Sequence, residues 1–392
     1  MPGPNHLPER RLRIGIVGLG MAGGLMVPIV AEHPRMQLAG AADINPELRA
    51  RFMRANDIEA HADIAGLLNR PDIDGVYIAT PHQFHREHAV MAAARGKHVI
   101  VEKPMALTLL DCDAMIEAAE RHRVVLIVGH THSFDPAVRI MRDIVASGEL
   151  GRLAMITMWN YTDFIYRPRR PEELDTALGG GILFNQIPHQ VDVARFLTAA
   201  PLRSVRAMAG ILDPRRPTEG CCTAFLDFTD GTAATITYSG YDHFDSDELH
   251  GWVGSVGQVK SPNHGATRRA WLALAGESEE LQLRQERYGY GANSRFKASG
   301  APHQPHFGIM VASCERGDMR PTANGVAIYG ETGVREIPIA AGRSGRTALL
   351  DEFYDAIIEG KAPAHDGPFA RGTLAGCLAI LQSSRERREV MV

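Results

Sequence analysis

The chain has 392 residues, too many for one hydrophobic core of the usual size, so we expect two domains. Its net charge of -4, with 45% hydrophobic and 22% charged residues, is typical of a globular protein and argues against nucleic acid or an acidic membrane as partner. No signal-peptide core, membrane-length apolar run or CxxC spacing among the five cysteines is present, so a cytoplasmic protein with reduced thiols is expected.

The first predicted element is a buried strand that leads into a glycine-rich turn. Residues 12–19, LRIGIVGL, are an apolar run of strand length, followed by glycines at the GxGxxG spacing. Such glycines permit a tight turn, the approach of a pyrophosphate and close packing of the next helix, whose N–H groups bind phosphate. The residues of this predicted cofactor-binding turn are Gly18, Gly20, Met21, Ala22 and Gly23.

A carboxylate ends the second predicted strand, MQLAGAAD, 20 residues after Gly23. At this position Asp43 can bind both ribose hydroxyls of the adenosine half of the cofactor. The alternative is that Asp43 is only a turn residue before Asn45 and Pro46. Because a carboxylate here repels a 2′-phosphate and no arginine follows it directly, the sequence favours NAD over NADP.

Strands and helices then alternate as in a doubly wound parallel sheet. We predict strands over 73–79, 97–104 and 124–130, separated by helices over 84–95 and 108–122. Ligands bind at the carboxyl ends of the strands in such sheets. Three segments fall there: Thr80-Pro81-His82, Glu102-Lys103-Pro104 and Gly129-His130.

The stretch ATPHQFHREHAVMAAARGKHVIVEKPMALT, together with the upstream GxGxxG, resembles the glucose-fructose oxidoreductase/inositol dehydrogenase (Gfo/Idh/MocA) family. The resemblance covers nearly the whole chain. It implies an α/β fold, with a Rossmann domain over 10–132 and an α/β domain over 133–392 that has a large, open, mostly antiparallel sheet. In the family this sheet commonly forms the subunit interface, so a homodimer or homotetramer is implied.

The resemblance also implies the nicotinamide side of the site. The family's motif lysine matches Lys103, whose buried ammonium would orient or stabilise the reacting oxygen. His82 stands where relatives often have an asparagine that contacts the nicotinamide ribose. The cofactor contacts predicted here are Thr80, Pro81, His82, His85, Glu102 and Lys103. For His85 and His88, at helical spacing, the alternative is a surface or capping role.

The second domain begins with a helix predicted over 134–147 and a strand, RLAMITMWNYTD. The connection over 161–175 is rich in arginine. Such a cluster is either a solvated face or a clamp for carboxylates, which guanidinium groups bind bidentately. The predicted substrate contacts of this region, with one from the preceding strand end, are His130, Trp159, Tyr166, Arg167, Arg169 and Arg170.

Residues 179–192, GGGILFNQIPHQVD, match the family motif that supplies a catalytic aspartate and histidine. His189 matches the histidine and is the predicted general base and substrate contact. Asn185 stands where many relatives have aspartate; it cannot titrate, but it can hold a hydroxyl or fix the imidazole tautomer. Pro188 either kinks a helix or marks its start. Asp192 is expected to have a supporting role.

The remainder, residues 201–340, reads as short strands. The run YDHFDSDELHGW could chelate a metal, but a polar loop is the expected structure and no metal site is predicted. Residues 270–306 have no clear periodicity and are interpreted as an insertion or a flap. Helices over 346–360 and 370–386 end the chain.

The predicted function is NAD-dependent oxidation of a secondary alcohol. The segments WNYTDFIYRPRRPEELD, GGGILFNQIPHQVDVARF and SCERGDMRP resemble the phthalate cis-dihydrodiol dehydrogenases of the family. This resemblance implies a small anionic substrate, a carboxylated ring cis-dihydrodiol that is oxidised to a catechol. The alternatives are a sugar or cyclitol dehydrogenase and an NAD-binding regulator without catalysis, the latter suggested by Asn185.

Overall fold

The computed structural model of the protein describes residues 10–129, 131–292, 301–342 and 344–392. Its first half is built on a parallel sheet of six strands, ordered β3-β2-β1-β4-β5-β6. Strands at the centre of this sheet are buried on both faces, as the continuous apolar runs predict. The strands are β1 (Leu12–Val17), β2 (Met36–Ala42), β3 (Ala60–His61), β4 (Gly75–Ile78), β5 (His98–Val101) and β6 (Leu126–Val128).

Helices connect these strands, and the doubly wound sheet predicted from the sequence is confirmed. Three of the helices begin at side-chain caps, since Asn45, Asp63 and Thr108 accept hydrogen bonds from first-turn N–H groups. The helices are α1 (Met21–Glu32), α2 (Pro46–Asn56), α3 (Ile64–Leu68), α4 (His85–Ala94) and α5 (Leu109–His122).

A second, mostly antiparallel sheet of nine strands follows, as predicted. Its order is β14-β13-β12-β11-β7-β10-β9-β8-β15, and the β7–β10 pair is parallel. The strands are β7 (Leu153–Tyr161), β8 (Leu202–Gly210), β9 (Cys221–Phe228), β10 (Ala233–Ser239), β11 (Ile309–Cys314), β12 (Gly317–Pro321), β13 (Gly325–Gly330), β14 (Gly333–Pro338) and β15 (Val390–Met391).

Helices cover one face of this sheet and leave the other open. The helices of this half are α6 (Pro136–Ser147), α7 (Gly181–Asn185), α8 (Ile187–Thr198), α9 (Ala266–Leu272), α10 (Glu277–Arg287), α11 (Gly345–Ile358) and α12 (Gly367–Glu386). On the open face Met155, Met208 and Phe225 are 49%, 66% and 47% exposed. A homo-oligomer formed through this face stays a prediction.

The chain returns to the first sheet near its C-terminus. Leu349, Leu350 and Phe353 of α11 are fully buried in one cluster with Tyr77 and Ile100 of the parallel sheet. A second buried cluster contains residues of both sheets, such as Val101 of β5 and Ile156 of β7, so the two sheets share a hydrophobic core. We propose the domain boundary at residues 132–133, as expected from the sequence.

The segment 270–306, in which the sequence shows no clear periodicity, contains the last three residues of α9 and all of α10. Apart from Glu280, the side chains of α10 are not buried, so the helix carries no apolar stripe that a periodicity search could detect. Residues 293–300 of this segment lie outside the described part of the chain. The helices that the structure describes include none long and apolar enough to cross a bilayer.

Candidate active site

A cleft of about 2380 Å³ lies at the carboxyl ends of the parallel strands and is lined by residues from both halves of the chain. Most residues predicted from the sequence to bind cofactor or substrate line it. From the first half these are Gly18, Gly20, Met21, Ala22, Asp43, Thr80, Pro81, His82, Glu102 and Lys103; from the second they are Arg167, Arg169, Arg170, Asn185 and His189.

The glycine turn has the geometry that dinucleotide binding requires. Gly18 adopts φ +91°, and a Cβ added there would lie 2.8 Å from the Ala79 carbonyl oxygen. A Cβ on Gly23 would lie 1.8 Å from the carbonyl oxygen of Gly18, so Gly23 does not line the cleft but lets α1 pack against the turn. In front of Gly20 there is open space, since no atom of the residues that the structure describes lies within 4 Å of an added Cβ.

The carboxylate of Asp43 lies at the end of β2, beside this turn. One oxygen accepts a hydrogen bond from the Leu19 N–H at 2.6 Å, and the other accepts from the Asn45 N–H at 2.7 Å. Each oxygen has a second lone pair, so the carboxylate can still accept from ribose hydroxyls. Open space before Gly20, an α1 terminus without a side-chain cap and this carboxylate together fit a bound NAD.

A segment from the second half of the chain crosses onto the nucleotide-binding sheet, which sequence reasoning missed. The Tyr290 N–H donates to the Leu19 carbonyl at 2.9 Å, and Asn56 donates to the Tyr290 hydroxyl at 2.8 Å. The Tyr290 ring lies edge-on to Phe52, 5.7 Å between centroids. Gly24 allows this contact, because a Cβ there would lie 3.0 Å from the Tyr290 nitrogen.

Lys103 follows β5 and points across the cleft to the opposite half. Its Nζ donates to the backbone carbonyl of Asn185 at 2.7 Å. Burial lowers the pKa of Lys103 to about 8; Glu102 opposes this effect, whereas the charges of Arg169, Arg346 and Arg167 add to it. The ammonium is therefore poised to donate to an oxygen in the cleft and to lose its proton near neutral pH.

The histidines near β4 divide between the cleft and the protein interior. His82 lines the cleft, and burial, with the charges of His85 and Lys103, lowers its pKa to about 3. His85, predicted to contact the cofactor, instead lies behind the cleft, fully buried, with its ring nitrogens 2.9 Å and 3.0 Å from the Thr80 and Pro104 carbonyls. Helix α4 directs the His85 side chain inward, where it bridges the loops that follow β4 and β5.

The motif at residues 179–192 forms two helices rather than one. Helix α7 ends at Asn185 and α8 begins at Ile187, with Gln186 between them at φ −122°. Pro188 lies in the first turn of α8, so of the two alternatives posed by the sequence the structure shows the second. Asp192 is buried and accepts hydrogen bonds from Thr131 at 2.8 Å and from Ser133, which gives it a supporting role.

The side chain of Asn185 is directed to the glycine turn before it. Its Nδ2 donates to the carbonyls of Gly179 at 3.0 Å and Gly181 at 2.8 Å. Both glycines have positive φ, +83° and +72°, so the amide fixes a backbone conformation that most residues avoid. The side chain of Asn185 therefore fixes the backbone of the cleft wall, and its backbone carbonyl positions the Lys103 ammonium.

Replacing Asn185 by leucine is expected to lower the free energy of unfolding by about 1–3 kcal/mol, because two carbonyls lose their donors. Urea unfolding followed by circular dichroism measures this change. Asn69→Leu serves as the control, since the Asn69 amide is exposed and lies outside the cleft. A variant within about 0.5 kcal/mol of the wild type would contradict the role assigned to these hydrogen bonds.

A cluster of rings forms one wall of the cleft. His132 Nδ1 lies 2.5 Å from Asp135 Oδ2, in the turn between β6 and α6. The His132 ring is 4.9 Å from the His189 ring and 4.7 Å from that of Phe307, which also contacts His189 at 4.8 Å. His132 and Asp135 are only three residues apart, so their spacing was the available signal.

The predicted arginines reach the cleft, but each already has a partner in the protein. Arg167 donates to Asp163 at 2.8 Å, and Arg169 donates to the Phe164 carbonyl at 2.8 Å and stacks on its ring. Arg170 pairs with Glu172 at 3.1 Å. Arg346, from the start of α11, also lines the cleft, and its buried Nε has no acceptor among the described residues.

Two predicted substrate contacts do not line the cleft. Side chains alternate across β7, and this register places Trp159 on the open face, whereas its neighbour Asn160 is buried and faces the cleft. Tyr166 is 1% exposed, and its hydroxyl donates to Asp213 at 2.7 Å within the protein interior. Both are corrections to the predicted set. His130, a further predicted contact, lies outside the described residues.

The acidic run YDHFDSDELHGW forms an ion pair with the protein's own lysine. Lys260 Nζ lies between the carboxylates of Asp245 and Asp247, where a bound cation would otherwise be expected. In the described ranges no group of three or more His, Cys, Asp or Glu side chains is arranged to hold a metal.

Two family models match the chain. The Gfo/Idh/MocA oxidoreductase family, NAD-binding Rossmann fold, matches residues 12–130, and the Gfo/Idh/MocA C-terminal domain matches residues 138–257. A crystal structure of a dehydrogenase from Bordetella bronchiseptica RB50 is 47% identical, with a TM-score of 0.93 over 97% of this chain and 100% of that one.

Two curated relatives cover almost the full length. The 1-carboxy-3-chloro-3,4-dihydroxycyclohexa-1,5-diene dehydrogenase of Comamonas testosteroni is 41% identical over 95% of both chains. The levoglucosan dehydrogenase of Pseudarthrobacter phenanthrenivorans is 26% identical over 90% of both chains. One relative is therefore named for a carboxylated ring diol and the other for a sugar derivative.

Proposed function

The chain belongs to the Gfo/Idh/MocA family, as an NAD-binding dehydrogenase, and within that family we propose that it oxidises a carboxylated ring cis-dihydrodiol to the corresponding catechol. The relative from Comamonas testosteroni, named for a ring diol that carries one carboxylate, supports this substrate class. Of the alternatives that the sequence raised, a sugar or cyclitol remains as the competing substrate. The alternative of a regulator without catalysis is set aside.

The observation that carries the proposal is the positive charge around Lys103. Arg167, Arg169 and Arg346 line the same cleft as Lys103, and their charges lower the pKa of Lys103. Burial raises the pKa of the neighbouring Glu102 carboxyl. A substrate that carries a carboxylate would balance the positive charge around Lys103.

Arg346 is the group we propose for binding that carboxylate. Arg346 lines the cleft, and its charge lowers the pKa of both Glu102 and Lys103. Its Nε is buried and has no acceptor among the described residues. Arg169 adds a second cation, whose own pKa is lowered by burial. A guanidinium fork matches a carboxylate with two parallel hydrogen bonds, which also sets the orientation of the ring.

Bound NAD would accept the hydride from the carbinol carbon. Lys103 donates to the oxygen of that carbon and stabilises the negative charge that develops there. Asn185 holds both the Gly179–Gly181 backbone and, through its carbonyl, the ammonium. His189, the general base predicted from the sequence, borders the same space. After the ketone forms, a proton moves from the ring carbon that bears the second hydroxyl to the ketone oxygen, which gives the aromatic catechol.

The substrate class is tested by following reduced-nicotinamide absorbance with NAD or NADP against three sets of compounds. These are dicarboxylated (phthalate-type) dihydrodiols, monocarboxylated dihydrodiols and neutral cyclitols or sugars. We expect turnover of an acid with NAD at a kcat/KM at least about 100-fold above that of any neutral polyol. Turnover of neutral polyols alone would end the proposal and favour the sugar alternative.

Replacing Arg346 by glutamine is expected to raise KM for the acidic substrate about 10–100-fold, the usual loss for a charged hydrogen bond. The Kd for NAD, measured by fluorescence titration, should stay unchanged. Arg142→Gln is the control, because Arg142 donates to the Leu197 carbonyl away from the cleft. A weakened NAD affinity with an unchanged KM for the acid would assign Arg346 to the cofactor phosphates and contradict its role here.

A further inference from the structure

The turn after β6 holds a histidine–aspartate pair that borders the reaction centre. The Nδ1 of His132 and the Oδ2 of Asp135 are 2.5 Å apart, and the side chains are 12% and 2% exposed. Both residues line the cleft. The pair is positioned by the parallel sheet, because it follows the carboxyl end of β6 directly and precedes the first turn of α6.

Chemistry determines the direction of this hydrogen bond. An ionised carboxylate can only accept, so Nδ1 carries the proton and donates it to Asp135. The second ring nitrogen, Nε2, then has the lone pair and can act as a base. The carboxylate also stabilises the imidazolium that forms when Nε2 takes a proton, and it fixes the ring orientation.

The surroundings place this imidazole beside the groups already described. Its ring contacts those of His189 and Phe307, and His189 belongs to the motif whose Asn185 carbonyl holds Lys103. Asn185 cannot accept a proton, and its amide is committed to the glycine carbonyls. Asp135, in the β6–α6 turn, supplies a carboxylate that orients an imidazole in this cleft.

We propose that His132, oriented by Asp135, accepts the hydroxyl proton of the substrate, with His189 beside it as a hydrogen-bonding and packing group. This inference rests on the proposed oxidation of an alcohol. As the C–H bond gives up its hydride to the cofactor, the O–H proton moves to Nε2 and the carbinol carbon is oxidised to a carbonyl. Bound NAD would take up the two electrons with the hydride, and the imidazolium later releases its proton to solvent.

Charged and titratable groups from three segments of the chain face His132. From its own turn this is Asp135; from α8 it is His189; from the segment before β11 it is His306, whose pKa is lowered to about 4 by burial and further by the charge of His132. We therefore expect the acid limb of the kcat/KM profile to change when Asp135 loses its charge.

Two variants test the proposal. His132→Gln should lower kcat about 10²–10⁴-fold, the usual contribution of a general base, with the Kd for NAD within twofold of the wild type. Asp135→Asn should lower kcat by about 10²-fold or more and shift the acid limb of the pH profile, because the amide no longer stabilises the imidazolium. His264→Gln is the matched control, since it removes a histidine–glutamate pair outside the cleft and should leave kcat unchanged.

A second readout does not depend on turnover. In the free protein, ¹H–¹⁵N NMR of the imidazole should show the Nδ1–H tautomer of His132, and this signature should be lost in Asp135→Asn. An Nε2–H tautomer in the wild type would overturn the proposal. So would a kcat within threefold of the wild type in His132→Gln, alongside a large loss in His189→Gln.

The failure of the proposed substrate would be distinct from the failure of this inference. If only neutral polyols are oxidised, the substrate class is wrong, and the same variants test His132 with the polyol. If a ring diol is oxidised and His132→Gln retains full activity, the function stands and the proton acceptor has been misassigned. If no alcohol is oxidised, the proposed function has failed, and the NMR tautomer decides whether the pair exists.

Discussion

Replacing Lys103 by methionine is expected to lower kcat by about 10²–10³-fold, the usual loss when a donor to a developing oxyanion is removed. Methionine keeps most of the length and apolar volume of the side chain but removes the charge and the donors. The hydrogen bond to the Asn185 carbonyl is lost with them. Steady-state kinetics with the acidic diol, together with NAD titration, would separate this loss from a loss of cofactor binding.

Lys97→Met is the matched control for this variant. Lys97 is also a buried lysine whose Nζ donates to backbone carbonyls, those of Arg70 at 2.9 Å and Ile73 at 2.8 Å, but it does not line the cleft. We expect Lys97→Met to lower the melting temperature and to leave kcat near the wild-type value. A similar loss of kcat in both variants would show that Lys103 acts through stability and not through the reaction.

The pKa of Lys103, lowered to about 8, gives a pH dependence with a definite sign. Because the ammonium is the form that donates, kcat/KM should fall as the pH rises through about 8. In Lys103→Arg this alkaline limb should move out of the measurable range, since a guanidinium stays charged. A kcat/KM that instead rises through pH 8 would mean that the neutral amine is the base, against the role given to His132.

Replacing Gly23 by alanine is expected to damage both the fold of the turn and cofactor binding. The added Cβ would lie 1.8 Å from the Gly18 carbonyl oxygen, which is backbone and can move only if the turn opens. Overpacking of this kind costs about 1–3 kcal/mol, so we expect a lower melting temperature and a Kd for NAD raised about 10–100-fold.

Gly20→Ala separates the two effects. No atom of the described part of the chain lies within 4 Å of a Cβ at Gly20, so the free protein should keep its melting temperature. The added methyl group would occupy space that the pyrophosphate needs. Gly330→Ala, in β13 and with room for a Cβ, is the control for both measurements. Unchanged NAD affinity in Gly20→Ala would contradict the proposed path of the cofactor across this turn.

Local sequence patterns were sufficient where a feature depends on neighbours along the chain. The apolar runs and the GxGxxG spacing identified the parallel sheet, and the carboxyl ends of its strands brought Asp43, Thr80 and Lys103 to one cleft. The position of Pro188 left two alternatives, a kinked helix or a helix that starts near Pro188. Such features follow from the backbone periods of strands and helices and from the conformational limits of glycine and proline.

Local patterns gave wrong predictions where the register of a strand, or a contact with a residue distant in sequence, determines which way a side chain points. In β7 a shift of one residue exchanges the two faces, so Trp159 lies on the open side and Asn160 in the cleft. Tyr166 is directed inward by Asp213 and Arg268, which follow it by 47 and 102 residues. The polar helix α10 has no apolar stripe to reveal it.

The sequence by itself therefore determined the family, the NAD-binding sheet and the lysine and histidine motifs of the cleft. Only the tertiary structure decided which charged groups meet there: Arg346 arrives from α11, and the pairing of His132 with Asp135 depends on the conformation of one turn. The physical reason is that backbone conformation is set largely by adjacent residues. The charge and hydrogen bonding of a site are set by groups that only the packing of distant segments brings together.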